Sequence, residues 1–341
     1  MQTKATFTYK GKTYALADQQ TWAGTPIETF MREWSNSEDH VWGHTSGSTG
    51  EPKRIMLPKA AMTASAQLTN QHFGLKENDT ILLCLSTDYI AGKMVVVRAI
   101  VGNLRIVIAD VKSLPEWDDQ IKFAALVPMQ VEALLHTDSK SRERLKGIDT
   151  LIIGGSPLNQ ELQDELIALG MRNAYITYGM TETLSHVAVA RIGEGELTYK
   201  ALKGITFETD ERDCLKINAQ HMQQAPFVTN DVVELLNSTS FRWKGRWDNV
   251  VNSGGIKLFP EKIEKKISDL FPDRRFYLKG EPDKRLGSCL VLKIEGSPLA
   301  EDEEKELLDA IKKRVEKYES PKSVTYLEKF EETTTGKTKR T

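Results

Sequence analysis

Five short apolar runs, TILLCLS, LRIVIA, FAALVP, TLIIGG and NAYITYG, recur between residues 80 and 179 with helix-patterned stretches such as PLNQELQDELIALG between them. Runs so short and so continuously apolar read as strands buried on both faces, and the stretches between them as crossover helices. Together they commit this segment to a parallel sheet covered by helices. From about Leu197 the pattern changes. ITFETDERDCLKIN and DVVELLNSTSFRWKGR alternate apolar with polar residues, the second folding back over Asn237, Ser238, Thr239 and Ser240, which predicts antiparallel hairpins. Beyond GRWDNVVNSGG the order is helix (PEKIEKKISDLF), two strands (RFYLKG, SCLVLKIEG), a charged helix (AEDEEKELLDAIKKRVEKY) and a last strand (SVTYLEKF). The expected fold class is therefore α/β: a large N-terminal domain of sheets flanked by helices with an antiparallel β segment, over 1–246, and a small α+β C-terminal domain over 247–341.

The opening MQTKATFTYKGKTYAL alternates as a hairpin does and has no apolar core of a signal peptide. TPIETFMREW predicts a helix with Thr25 as N-cap, Pro26 in the first turn and Glu28 closing a capping box, and a second helix through LPKAAMTASAQLTNQHFG ends at Gly74. With 341 residues, 40% of them hydrophobic, the chain is long enough to bury two cores. Charged residues make up 28%, yet the formal net charge is only -2, so no global field recruits nucleic acid or an anionic membrane, and the expected partner is a small molecule. No apolar run approaches a membrane span, and the chain is expected in the cytoplasm. Cys84, Cys214 and Cys289 have spacings that match no metal motif and read as buried thiols.

The stretch HTSGSTGEPK, from His44 to Lys53, concentrates glycines, hydroxyls and one lysine. Glycines let successive N–H groups converge on an anion, and hydroxyls and an ammonium add donors, so phosphate is the natural guest; the spacing fits neither a Walker A loop nor Gly-x-Gly-x-x-Gly. Read alone, it is also a flexible turn. Four further segments stand out: YGMTET (Tyr178 to Thr183) at the carboxyl end of a parallel strand, TND ending on Asp231, GRWD with Arg246 and Asp248, and TTTGKTKR with Lys337 and Arg340. Each alone has a plain reading as a strand end, a turn, a linker or a frayed terminus.

Their order along one chain resembles the adenylate-forming superfamily of acyl- and aryl-CoA synthetases, peptide-synthetase adenylation domains and luciferases, with the resemblance running from about His44 to the end. It implies an enzyme that joins a carboxylate to the α-phosphate of ATP with Mg²⁺, releases pyrophosphate and passes the acyl group to the thiol of coenzyme A. By motif, Thr45, Ser46, Gly47, Ser48, Thr49, Gly50 and Lys53 would cradle the β- and γ-phosphates, Thr181 would touch the α-phosphate, and Glu182 would hold Mg²⁺. Gly154, Gly155 and Ser156 match the adenine-side wall, Tyr178 and Gly179 would take the adenine, Tyr178 by stacking, and Asp231 with Arg246 would bind the ribose hydroxyls. Lys337 would sit between the attacking carboxylate and the α-phosphate. The resemblance further implies a hinge at Asp248 and a thiol tunnel edged by Ser253, Gly254, Gly255 and Lys257.

Only 44 residues precede the phosphate loop, where most members have a much longer segment, and this shortened first subdomain is similar to that of o-succinylbenzoate-CoA ligases of menaquinone biosynthesis. Those enzymes place an arginine six residues after a glycine to bind the substrate's second carboxylate, which Gly92 and Arg98 fit; Lys93 is a second candidate, and Ser185 and His186 could line the same pocket. Arg98 also reads as a helix cation reaching water, and His186 as a packed core histidine. Asp88 and Tyr89 depart from the family's Phe-His, Asn230 replaces a frequent glycine, and Glu331 replaces a proline. Two alternatives stay open: another aryl- or acyl-CoA ligase or a stand-alone domain loading a carrier protein, and a nucleotide-binding module without turnover. A second copy of the chain could cover apolar surface left by the short first subdomain, giving a homo-oligomer.

Overall fold

A computed structural model describes residues 3–44, 54–193, 195–222, 225–332 and 338–340. β1 (Thr6–Tyr9) and β2 (Lys12–Ala15) form the opening hairpin, α1 covers Glu28–Ser35, and β3 (His40–His44) pairs antiparallel with β4 (Arg54–Pro58). The parallel segment follows as α2 (Lys59–Phe73), β5 (Thr80–Leu83), α3 (Ile90–Gly102), β6 (Arg105–Ile108), β7 (Phe123–Leu126), α4 (Pro128–His136), α5 (Ser139–Lys146), β8 (Thr150–Ile153), α6 (Gln160–Ala168) and β9 (Ala174–Gly179). After it come β10 (His186–Arg191), β11 (Tyr199–Ala201), β12 (Ile205–Thr209), β13 (Cys214–Ala219), β14 (Phe227–Asn237) and β15 (Ser240–Arg246), all antiparallel to their partners.

One sheet takes up nearly all of these strands, in the order β12-β13-β14-β15-β11-β10-β9-β8-β7-β5-β6-β1-β2. Its two faces are filled by alternation. Ile81 and Leu83 of β5 point to a core shared with α1, α2 and α3, while Leu82 points to a second core under α4, α5 and α6, so each short strand must be apolar at every position. β6 lies on one side of β5 and β7 on the other, and the carboxyl ends of strands around such a reversal are where open α/β sheets hold ligands.

A smaller sheet is built from β16 (Val251–Ser253), β17 (Ile256–Leu258), β18 (Phe276–Asp283), β19 (Gly287–Glu295) and β20 (Ser323–Leu327), packed with α7 (Pro260–Ile267) and α8 (Glu301–Arg314) around its own core. The three cysteines are free and buried. Among the described residues no helix is long and apolar enough to cross a membrane.

The first helix departs from expectation. It begins at Glu28 with no side-chain cap, because the Thr25 hydroxyl donates to the Trp22 carbonyl at 2.6 Å and Glu28 accepts the Gly24 N–H at 2.7 Å. Both groups are consumed by the preceding 3-10 turn, so the Thr-x-x-Glu spacing serves a turn rather than a capping box. The second helix ends as its sequence predicts, with Gly74 left-handed at φ 64°.

Candidate active site

Thr45, Ser46, Gly47, Ser48, Thr49, Gly50, Lys53 and Lys337 lie outside the described residues, and what surrounds them is described instead. β3 and β4 form the stem of the glycine-rich loop, with His44 opposite Arg54 in register and the Arg54 guanidinium 3.8 Å over the Trp42 ring. This stem stands against the YGMTET turn: a Cβ built on Gly43 would lie 3.6 Å from the Thr181 methyl. The turn is fixed from within. The buried Thr183 hydroxyl accepts the Met180 N–H at 2.9 Å and donates to the Ser185 carbonyl at 2.7 Å, with Thr181 buried beside the stem and Glu182 exposed.

Glu182 forms no ion pair with a described residue, and no group of three His, Cys, Asp or Glu side chains capable of holding a metal occurs among the described residues. A lone exposed carboxylate fits magnesium, a hard cation that uses one or two protein carboxylates and completes its shell with phosphate oxygens and water. It does not fit a metal held by the protein alone.

The residues expected at the adenine side, Gly154, Gly155 and Ser156, follow β8. A Cβ on Gly154 would come within 2.4 Å of Thr177 Oγ1, so a larger residue there would displace that hydroxyl from its hydrogen bond to the Ile153 carbonyl; Gly155 (φ 90°) and exposed Ser156 continue the turn. Tyr178 and Asp231 meet although β10, β11 and β15 intervene between their strands. At about 4.8 Å per step a flat sheet would hold β9 and β14 ~19 Å apart. The Tyr178 hydroxyl nevertheless donates to Asp231 Oδ2 at 2.7 Å, so this end of the sheet curls nearly into a barrel around the Tyr178, Tyr199 and Phe241 rings. Burial, and then the neighbouring Asp231 charge, hold the Tyr178 phenol well above its ordinary value, so it stays a donor. Arg246 stands opposite Asp231 in register, but its guanidinium turns to Asp248 at 2.9 Å. Asp248 lies in the 3-10 turn Trp247–Asn249 that links the two sheets. Beyond it, Gly254 and Gly255 (φ 58° and 86°) make the left-handed turn between β16 and β17, with buried Ser253 before it and Lys257 after it, the latter 5.0 Å from the Trp247 ring.

The remaining residues cluster on α3. This helix is apolar nearly all round, Met94 to Val97 being fully buried, and carries Arg98 at 2% exposure. Arg98 Nη2 donates to Ser185 Oγ at 2.6 Å; its Nε is buried without a partner, and no carboxylate among the described residues pairs with it. Burial lowers the guanidinium to about 9, which leaves it cationic at neutral pH. Ser185 Oγ is 3.4 Å from His186 Nδ1, and His186 Nε2 is 3.3 Å from Thr69 Oγ1, which donates to the Ser65 carbonyl at 3.2 Å. One assignment satisfies the whole row: Ser185 donates to Nδ1, and the Nε2–H donates to Thr69. Burial, with the Arg98 charge second, holds His186 well below its ordinary value and so neutral. Asn70 closes the group, donating to the Arg98 carbonyl at 2.9 Å and leaving its own Oδ1 buried and unpartnered.

Lys93 is not brought to this cluster. Five residues along a helix is a rotation of about 140° from Arg98. Its ammonium pairs with Glu33 at 3.3 Å over the Phe30 ring, while the other Glu33 oxygen accepts the Trp42 N–H at 2.6 Å. The structure thus gathers Arg98, Ser185 and His186, sets Thr181 against the loop stem with exposed Glu182 following it, and joins Tyr178 to Asp231. Thr69 and Asn70 had no signal in the sequence; helix spacing places them on α2, but only tertiary packing brings them to α3.

A family profile described as AMP-binding enzyme matches residues 5–234. The probable 2-succinylbenzoate–CoA ligase of Mycobacterium tuberculosis is 28% identical over 268 residues, covering 73% of this chain and 69% of the relative. Among solved structures, an acyl-CoA synthetase (AMP-forming)/AMP-acid ligase II-like protein from Dyadobacter fermentans is 35% identical at TM-score 0.62, covering 92% of this chain and 91% of its own. The o-succinylbenzoate coenzyme A synthetase of Bacillus subtilis, solved with ATP and magnesium ion, has the same fold at TM-score 0.73 and 19% identity, covering 88% of this chain and 68% of its own.

Proposed function

The chain belongs to the AMP-binding enzyme family and is an ATP-dependent acyl-CoA ligase, and from that premise we propose that the acid it activates is the dicarboxylate o-succinylbenzoate, converted to o-succinylbenzoyl-CoA for menaquinone. The observation that carries the choice of acid is Arg98. A buried guanidinium with one neutral partner and an orphaned Nε is costly, and a carboxylate is the ligand that relieves it, through a planar, two-pronged contact. Ser185 and neutral His186 stand beside the guanidinium without competing as anions. Relatives named as 2-succinylbenzoate–CoA ligases point the same way.

In the first half-reaction an oxygen of the substrate's other carboxylate attacks the α-phosphorus of ATP, and the bond to the bridging oxygen breaks with its electrons leaving on pyrophosphate. Two anions must approach each other, so donors and cations have to surround the point of attack. Thr45, Ser46, Gly47, Ser48, Thr49, Gly50 and Lys53 would hold the β- and γ-phosphates, Thr181 the α-phosphate, and Lys337 would stand between carboxylate and phosphorus. Magnesium, held by Glu182 with the nucleotide's own oxygens, would supply further neutralisation of phosphate charge. Gly154, Gly155, Ser156, Tyr178 and Gly179 would enclose the adenine, and Asp231 with Arg246 the ribose. In the second half-reaction the thiolate of CoA attacks the acyl carbon and AMP departs with the electrons of the acyl–oxygen bond. Asp248 would be the pivot between the two steps, and Ser253, Gly254, Gly255 and Lys257 would edge the thiol's path.

The test is an acid screen for ATP-dependent thioester formation, with o-succinylbenzoate against benzoate and medium-chain fatty acids and with free CoA against a holo-carrier protein. The diacid with free CoA should be turned over best. Arg98→Ala should raise the diacid's KM about 30-fold or more and leave the KM for ATP little changed, since removing one partner of a buried charge pair costs roughly 2–5 kcal/mol. Equal use of monoacids, or an unchanged diacid KM, removes the proposed substrate.

A further inference from the structure

Asp231 is 8% exposed, and both of its carboxylate oxygens are held by protein donors before any ligand is considered. Tyr178 donates to Oδ2 at 2.7 Å across the curl of the sheet, and the indole Nε1–H of Trp243 donates to Oδ1 at 3.1 Å. The Asp231 backbone N–H is also satisfied, by Thr229 Oγ1 at 3.0 Å. Trp243 gets there through strand pairing. It stands opposite Val233, and Asp231 is two residues along the same face of β14, a diagonal relation that a long side chain spans. An irregularity in register between Val232 and Val233 passes over Lys244 and sets Trp243 rather than its neighbour on that face.

Both donors are neutral groups, a phenol and an indole. Each oxygen gives one lone pair to the protein and retains another. Two donors on two different oxygens also stop rotation about the Cβ–Cγ bond, which a single hydrogen bond would not. What remains is a pair of acceptor sites fixed in one plane, the complement of two hydroxyl donors on adjacent carbons.

We propose that Trp243 is a positioning residue for nucleoside selection: its indole N–H locks the Asp231 carboxylate so that both oxygens meet the 2′- and 3′-hydroxyls of ribose together. This rests on the reading of Asp231 as the ribose ligand. Trp243 acts through Asp231, so its removal matters only for ligands that use both hydroxyls.

The experiment measures calorimetric Kd values of AMP, 2′-deoxy-AMP and 3′-deoxy-AMP for the full chain, for Asp231→Asn, for Trp243→Phe and for the double variant. Trp243→Phe keeps a ring in place and deletes the N–H. It should weaken AMP about tenfold, the scale of one hydrogen bond to a charged group, and both deoxy ligands much less. The double variant should bind AMP no more weakly than Asp231→Asn alone. Trp243→His, which retains a ring N–H, should recover part of the preference for AMP, a rescue that loss of packing would not allow. If Asp231→Asn binds AMP as the parent does, the ribose reading falls and takes this proposal with it. If Asp231→Asn weakens AMP while Trp243→Phe does not, or weakens all three ligands equally, the ribose reading stands and the positioning role is overturned.

Discussion

His186 shows how one buried side chain sets a pH limit on the fold. Desolvation, with Arg98 and His72 adding repulsion, depresses its folded-state pKa well below 6.5. An unfolded chain therefore binds a proton that the folded chain refuses. Stability from this group is fully present above pH 6.5 and is lost as pH falls toward the depressed folded value, at up to about 1.4 kcal/mol per pH unit for each proton taken up. His72 and His221 are lowered too, both by burial, and act in the same sense. His186→Gln should flatten the acid side of the stability profile, read by urea unfolding at a series of pH values below 6.5. A slope identical to the parent's would mean that His186 is not the proton-linked group. The relay from Arg98 through Ser185 and His186 to Thr69 depends on that neutrality, because a protonated ring would have no acceptor at Nδ1 for the Ser185 hydroxyl.

The elements that carry the site were mostly legible, and their limits show why. Continuous apolar runs place β5 to β9 and the helices between them, because a strand buried on both faces has no other pattern open to it. The same logic marks α3 as buried and Arg98 as a costly exception within it. Local signals failed where a side chain had two uses: Thr25 and Glu28 read as a capping box, yet both serve the turn before the helix. Contacts between elements were beyond reach. Nothing in the spacing of Lys93 says that Glu33 waits for it, and the Tyr178 to Asp231 bond exists only because the sheet curls. Gly92 is where element packing and the site join. A Cβ there would lie 2.2 Å from the Ser86 carbonyl oxygen and 2.8 Å from that of Leu85, both backbone atoms that cannot rotate aside. Gly92→Ala must push α3 outward from the β5 connection, at a cost of about 1–3 kcal/mol. Because Arg98 rides on that helix, the diacid's KM should rise more than that for ATP. Exposed Ala91→Ser in the same turn is the control, and an alanine at position 92 that leaves both unfolding and KM unchanged would show the approach to be slack.

At the scale of the molecule, two sheets with separate cores are joined through the short turn Trp247–Asn249. The junction carries polar contacts: Asn249 donates to Glu261 of α7, and the Trp247 ring has the Arg212 guanidinium of the large sheet's segment at 5.7 Å and the Lys257 ammonium of the small sheet at 5.0 Å. Polar contacts of this kind exchange for water at little cost, so the junction suits reorientation of one lobe against the other. The chain's last described residues belong mechanically to the small lobe. Arg340 grips both Glu264 oxygens at 2.7 Å, and Thr338 bridges to Glu332. The YGMTET turn and the loop stem belong to the large lobe, and the role proposed for Lys337 requires the two lobes to close. An ammonium delivered by lobe closure can serve the step in which phosphate charge builds up, and it has no task once the acyl-adenylate exists. Lys337→Ala should therefore cut adenylate formation, followed by acid-dependent pyrophosphate exchange, roughly a hundred- to thousandfold, the scale of losing one transition-state donor. Thioester formation from supplied acyl-adenylate and CoA should proceed near the parent's rate. Equal losses in the two half-reactions would mean that the lysine maintains structure common to both, and that the lobes need not alternate.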